Sequence, residues 1–201
     1  AKVLQLRAVE YASKFKLPLR VLSSFNEGEG TLVQEEKNIM ERPIVSGISS
    51  IDTEAKLTIR GVPDVPGVAA KILSPISDQE IEVDVIVQNI SADNNTDFTF
   101  TVDKADAKRA EDILREVSES LGGGLVEVDD NIAKISIVGR GMRAHAGVAS
   151  KMFQALAKSE INISMITTSE IKISVVIEKS EMSKAVTALH EAFDLDKELD
   201  T

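Results

Sequence analysis

The chain has 201 residues, 43% of them apolar, with a net charge of -10 and a pI near 4.8. That length and apolar content suit two small domains better than one large one. The acidity, with no basic stripe, argues against nucleic acid or an anionic membrane as partner. There is no cysteine, so disulfides and thiolate metal sites are excluded. No secretory pattern is visible and no apolar run approaches the ~18 residues of a spanning helix, which points to a cytoplasmic protein.

Val3, Leu4, Leu6, Val9, Tyr11, Ala12 and Phe15 recur at helical spacing, and Pro18 ends the pattern, predicting a helix over residues 2–16. Because the chain opens inside that pattern, further sequence is expected to precede it. Residues 19–25 predict a short strand and residues 31–33 a second one, joined by the glycine-rich turn 26–30. That turn lacks the Lys and Ser/Thr of a phosphate loop and has no helix after it. The charged, proline-ended residues 35–43 read as a linker.

From Val45 onward the chain repeats itself. Lys56-Leu57-Thr58-Ile59 through Gly61 matches Lys134-Ile135-Ser136-Ile137 through Gly139 at an offset of 78. Gly67-Val68-Ala69-Ala70-Lys71 matches Gly147-Val148-Ala149-Ser150-Lys151 at an offset of 80. Phe98 to Lys104 matches Ile173 to Lys179 at an offset of 75, the first copy having the longer turn, at residues 91–95. Each copy predicts strand (55–61; 132–139), helix (66–79; 146–159), strand (82–88; 162–168), strand (96–102; 171–177) and helix (104–120; 180–193). Residues 125–129 give the first copy a fourth strand, which the charged end of the second copy lacks. Residues 45–51 lead into the first copy as 123–129 lead into the second, and so are inferred to supply the missing strand. The fold class is therefore α+β, with two ferredoxin-like βαββαβ units, the first inserted in the second, after a helix-strand segment. Domain limits are expected at 1–40, 52–130, and 44–51 plus 131–195, with the two units unable to fold independently.

Residues 61–89 carry the most informative chemistry. Pro66 presets a helical φ and Gly67 leaves backbone donors bare, so the loop offers a helix N-terminus to a small anion. Asp64 adds an acceptor, and the Gln88 and Asn89 amides can each donate or accept. Taken singly, D-x-P-G at a helix start is an ordinary cap and Gln-Asn ordinary turn material. Their occurrence within a repeated frame favours a free amino acid as ligand. No catalytic residue is found: the chain has no lysine-bearing glycine loop and no paired nucleophile and base. The two histidines, His145 and His190, are too few for a His-rich metal site; His190 suits a structural place in a helix and His145 a cap before Gly147.

Two βαββαβ units with a glycine-containing loop after the first strand resemble ACT domains, which sense amino acids. The resemblance extends to the C-terminal half of the aspartate kinase family. It is carried by Lys2-Val3-Leu4, residues 20–25 with Gly30-Thr31, Val65-Pro66-Gly67-Val68-Ala69, Val87-Gln88-Asn89, His145-Ala146-Gly147-Val148 and, most specifically, residues 166–175. Ala146 departs from the proline of many relatives. The resemblance implies that residues 1–34 close an amino-acid kinase domain lying outside the chain. ATP and Mg would bind there, so this chain would need no cofactor and be inactive alone; some relatives make this half as a separate subunit. It also implies L-threonine, and second to it L-lysine, as feedback effectors, a homodimer paired through ACT domains, and a kinase domain or alpha subunit as further partner. Effectors would sit between an ACT unit and its partner. The N–H groups of Gly67, Val68 and Ala69 would hold the carboxylate, Asp64 and Gln88 the ammonium or hydroxyl, and Asn162 and Ile163 would close the pocket. Asp84, Asn89 and Ser169 are weaker candidates, two of them for a lysine site. The alternatives are an ACT assembly module that senses nothing, and a free-standing sensor, which leaves residues 1–34 without purpose.

Overall fold

The computed structural model describes residues 4–34, 45–90, 94–139 and 147–196, in two bodies, residues 1–42 and 43–201. In the first, α1 (Leu6–Lys14) precedes an antiparallel pair, β1 (Leu19–Val21) and β2 (Thr31–Val33). The helix is shorter than the predicted 2–16 because Gln5 is extended, at φ -68° and ψ 130°, and Lys16 turns to a φ of 56°; residues 2 and 3 lie outside the described residues. The first strand stops at Val21, since the Ser23 hydroxyl accepts the N–H groups of Phe25 and Asn26 and bends the chain. Gly30 allows the return: at its φ of +66° a Cβ would lie 2.2 Å from the Val21 carbonyl oxygen. The linker 35–43 falls outside the described residues.

The second body holds both repeats. The first consists of β4 (Glu54–Pro63), α2 (Val68–Asp78), β5 (Val83–Ile90), β6 (Asn95–Asp103), α3 (Ala107–Ser120) and β7 (Leu125–Asp129). Its antiparallel sheet has the order β5-β6-β4-β7. The other consists of β8 (Ile132–Gly139), α4 (Val148–Lys158), β9 (Met165–Thr168), β10 (Lys172–Glu178) and α5 (Met182–Ala192). Its sheet is completed by β3 (Val45–Ile51), in the order β3-β8-β10-β9. Ile48 lies opposite Ile137 and Ser49 opposite Ser136. The first repeat is thus inserted between the fourth strand of the second repeat and that repeat's first.

Period-two alternation explains the helix-facing cores. Leu57, Ile59, Phe98, Phe100 and Val102 point at Ile72, Ile76, Ala110 and Leu114 in the first repeat. Ile135, Ile137, Val175 and Ile177 point at Met152, Leu156, Ala185 and Leu189 in the second. The opposite sheet faces are not left to solvent. Val85 and Val87 of β5 pack on Ile132, Met165 and Val176 of the other sheet, so the repeats meet sheet to sheet with their helices outward. On these inner faces Thr58 and Thr99 of the first sheet share a 3.0 Å hydrogen bond, and Ser136 and Ser174 of the second sheet a buried one of 2.7 Å. Among the described residues no helix is long and apolar enough to cross a membrane.

Candidate functional site

The loop of the first repeat is aimed by a bulge. Pairing of β4 with β6 shifts register between Ile59 and Val62, and Gly61 there has a φ of +69°. The Asp97 carboxylate accepts the Gly61 N–H at 3.0 Å and an Arg60 guanidinium N–H at 3.3 Å. Arg60 also donates to Glu127 at 2.8 Å, and these two carboxylates, Glu127 foremost, raise its pKa further above the usual value. Beyond the bulge the Asp64 N–H donates to the Asn94 carbonyl at 2.9 Å, tying the loop to the start of β6.

Helix α2 begins later than predicted. Gly67 takes a left-handed φ of +92°, which interrupts helical geometry, so it is the cap and Pro66 precedes it rather than opening the first turn. No side chain caps this end. The Val68 N–H is turned back to the Val65 carbonyl at 3.1 Å. The N–H groups of Gly67 and Ala69 have no acceptor among the described residues, and a Cβ on Gly67 would meet nothing within 4 Å. Two of the three amides assigned to a ligand carboxylate are therefore free.

Gln88 stands beside this loop. It lies on β5, an edge strand, opposite Phe98, and its amide donates to the Asp64 carboxylate at 3.4 Å. Asp64 and the amides at the start of α2 thus fall on one loop, and Gln88 on the strand that contacts it, a candidate cradle. Asn89 points to the other sheet face and its carbonyl accepts from the Thr96 hydroxyl at 2.9 Å. With Val87, Thr99, Ile163, Ser164, Met165 and Ile166 it lines a cleft of about 310 Å³ between the repeats.

The second-repeat candidates are placed differently. Asn162 is exposed just before β9 and lines an acidic cleft of about 350 Å³ with Asp129, Asn131, Glu160, Glu178 and Glu181. Predicted as strand from 162, this segment pairs only from Met165, because the Ser164 N–H and hydroxyl both go to the Val176 carbonyl. Among the described residues no hydrogen bond joins Asn162 or Ile163 to Asp64, Gly67 or Gln88 in one chain. Ser169 is used by its own turn, its hydroxyl donating to the Lys172 carbonyl at 3.3 Å and accepting the Lys172 N–H at 3.1 Å. Asp84 is taken by the chain's own Lys134, which also pairs with Glu54; sequence alternation puts Lys134 on a polar face and gives no sign of this. His190, in the last turn of α5, lies 2.9 Å from Asp196. His145, Ala146 and residues 91–93 fall outside the described residues. No cluster of metal-ligating side chains occurs among the described residues.

An ACT domain family model matches residues 57–117 and 135–193. The aspartate kinase of Pseudomonas fluorescens (strain SBW25) is 62% identical over 197 residues, which are 98% of this chain and 48% of that protein. The chain spans about half the length of the curated relatives it matches. A crystal structure of aspartokinase alpha and beta subunits superposes with a TM-score of 0.70 at 48% identity, covering 75% of this chain and 99% of that one. The ligand-free regulatory subunit of aspartate kinase from Thermus thermophilus gives a TM-score of 0.72 at 38% identity, over the same shares.

Proposed function

From the premise that this chain belongs to the aspartate kinase family and carries its regulatory region of two ACT domains, we propose that it binds end-product amino acids, threonine first and lysine second, to inhibit the enzyme by feedback. The observation that carries this reading is the cradle at Asp64, Gln88 and the free amides of Gly67 and Ala69. It presents two backbone donors for a carboxylate beside an anionic acceptor for an ammonium. A zwitterion carries both of the charges that such groups recognise. Phosphorylation of L-aspartate from ATP with Mg would belong to a kinase domain outside this chain, leaving the chain inactive alone, in the cytoplasm.

Asn162 and Ile163 would close the cradle from a second chain. The half-site of one repeat has an open edge strand beside it, β5, and the other repeat offers the equivalent edge, β9. A homodimer that joins these edges would assemble a complete pocket, and a ligand touching both sides would favour that packing by its differential affinity. Coupling of about 1–3 kcal/mol suffices for feedback control. Isothermal calorimetry on this chain should show saturable heats with L-threonine, weaker ones with L-lysine and none with L-valine. Absence of binding by every amino acid made from aspartate would overturn the reading.

A further inference from the structure

Lys56 and Lys134 occupy equivalent places in the two repeats, on the first strand and on the sheet face turned away from the helices. Lys56 lies opposite Asp129 of its own sheet and pairs with it at 3.2 Å. In the second repeat the residues opposite Lys134 are Ile51 on β3, in the place of Asp129, and Val176 on β10, neither with a charge to offer. Lys134 instead crosses to the first repeat, where its ammonium is held by Glu54 on β4 and Asp84 on β5. It is only 4% exposed. The second carboxylate oxygen of Glu54 is buried with no hydrogen-bond partner, so that group relies on Lys134 for its compensation. Burial pushes the ammonium pKa down, but the hydrogen bonds to Asp84 and Glu54 outweigh it and hold the pKa above its usual 10.5, so the cation persists at neutral pH.

The apolar contact beside this bridge is small: Val85, Val87, Ile132, Met165 and Val176. Such contact resists separation but tolerates sliding, because it has no direction. An ammonium shared by two carboxylates, one on β4 and one on β5, does have one. We propose that Lys134 is an ionic latch that fixes the inserted repeat against its host in a single orientation. The latch does not depend on what the cradle binds. It holds β5, the strand that carries Asp84, Gln88 and Asn89, at a set position over the second sheet.

With no native cysteine, Glu119→Cys on α3 and Lys158→Cys on α4, both exposed, can carry a spin-label pair in the full chain. Pulsed electron resonance should give one narrow distance distribution, and Lys134→Met should broaden or split it while circular dichroism stays unchanged. The triple variant Glu54→Gln, Asp84→Asn, Lys134→Met leaves no unpaired charge. It should broaden the distribution as well, and it decides the matter if Lys134→Met fails to fold. A triple variant as narrow as the parent overturns the latch, because any broadening in Lys134→Met would then come from repulsion between abandoned carboxylates. A parent that is already broad overturns it too.

Discussion

Asp64 is held in place by its backbone, through the bond from its N–H to Asn94, while its carboxylate meets only the Gln88 amide at a long 3.4 Å. The side chain therefore contributes little to the loop and is free for a ligand. Asp64→Ala should remove a charge-assisted bond worth about 1.5–3 kcal/mol, lowering threonine affinity roughly tenfold or more with the fold intact. Calorimetry and circular dichroism on the same sample separate the outcomes: unchanged affinity moves the site elsewhere, and unfolding makes Asp64 a structural cap. At this scale the sequence is legible where chemistry is local. The contact between Gln88 and Asp64 can be anticipated because the loop after one strand and the end of the next lie at the same end of the sheet in a βαβ unit. Asp84 cannot be read, because its partner lies fifty residues away on another sheet, and neither can the turned-back Val68 amide, which depends on the left-handed φ of Gly67.

Strands β5 and β9 are edges in equivalent positions, and each exposes an isoleucine on its helix-facing side: Ile86 is 50% and Ile166 48% exposed. An edge strand with an apolar residue and unpaired N–H and C=O groups is a template for pairing, which proteins rarely leave bare. Ile86→Lys combined with Ile166→Lys places charge on both edges without disturbing either core. Light scattering should report a dimer for the parent at micromolar concentration and a monomer for the double variant. A monomeric parent, with and without threonine, would remove the pairing. Element types and order can be read from the repeat. Thr58, Thr101, Lys134, Ser136 and Ser174 mislead, because their alternation marks a solvent-facing sheet, yet all are buried. They satisfy one another within their own sheets, Thr58 with Thr99 and Ser136 with Ser174, so the faces that meet between the repeats mix polar residues with a few apolar ones and carry only a weak apolar signal.

At the scale of the whole body the repeats are tied at both crossings of the chain. Asp52 on the way into the inserted repeat pairs with Lys179 at 2.9 Å, and the Lys179 N–H donates to the Asn131 carbonyl on the way out at 3.0 Å. Unfolding the inserted repeat pulls on β3 and β8 together, so differential scanning calorimetry of residues 43–201 should show one transition, with calorimetric and van't Hoff enthalpies equal. Two resolved transitions would mean that the repeats are thermodynamically separate. The same nesting governs how the chain is made. Strand β3 leaves the ribosome well before β8, its only neighbour in the sheet among the described residues, which is translated after the entire inserted repeat. During that interval every strand of the inserted repeat is out, but the second sheet that covers its inner face is not, while β3 waits as an unpaired strand. The order of synthesis thus presents the guest before the host is complete, and a pause in translation between β7 and β8 would prolong the stage at which β3 is open to pairing with a neighbouring chain.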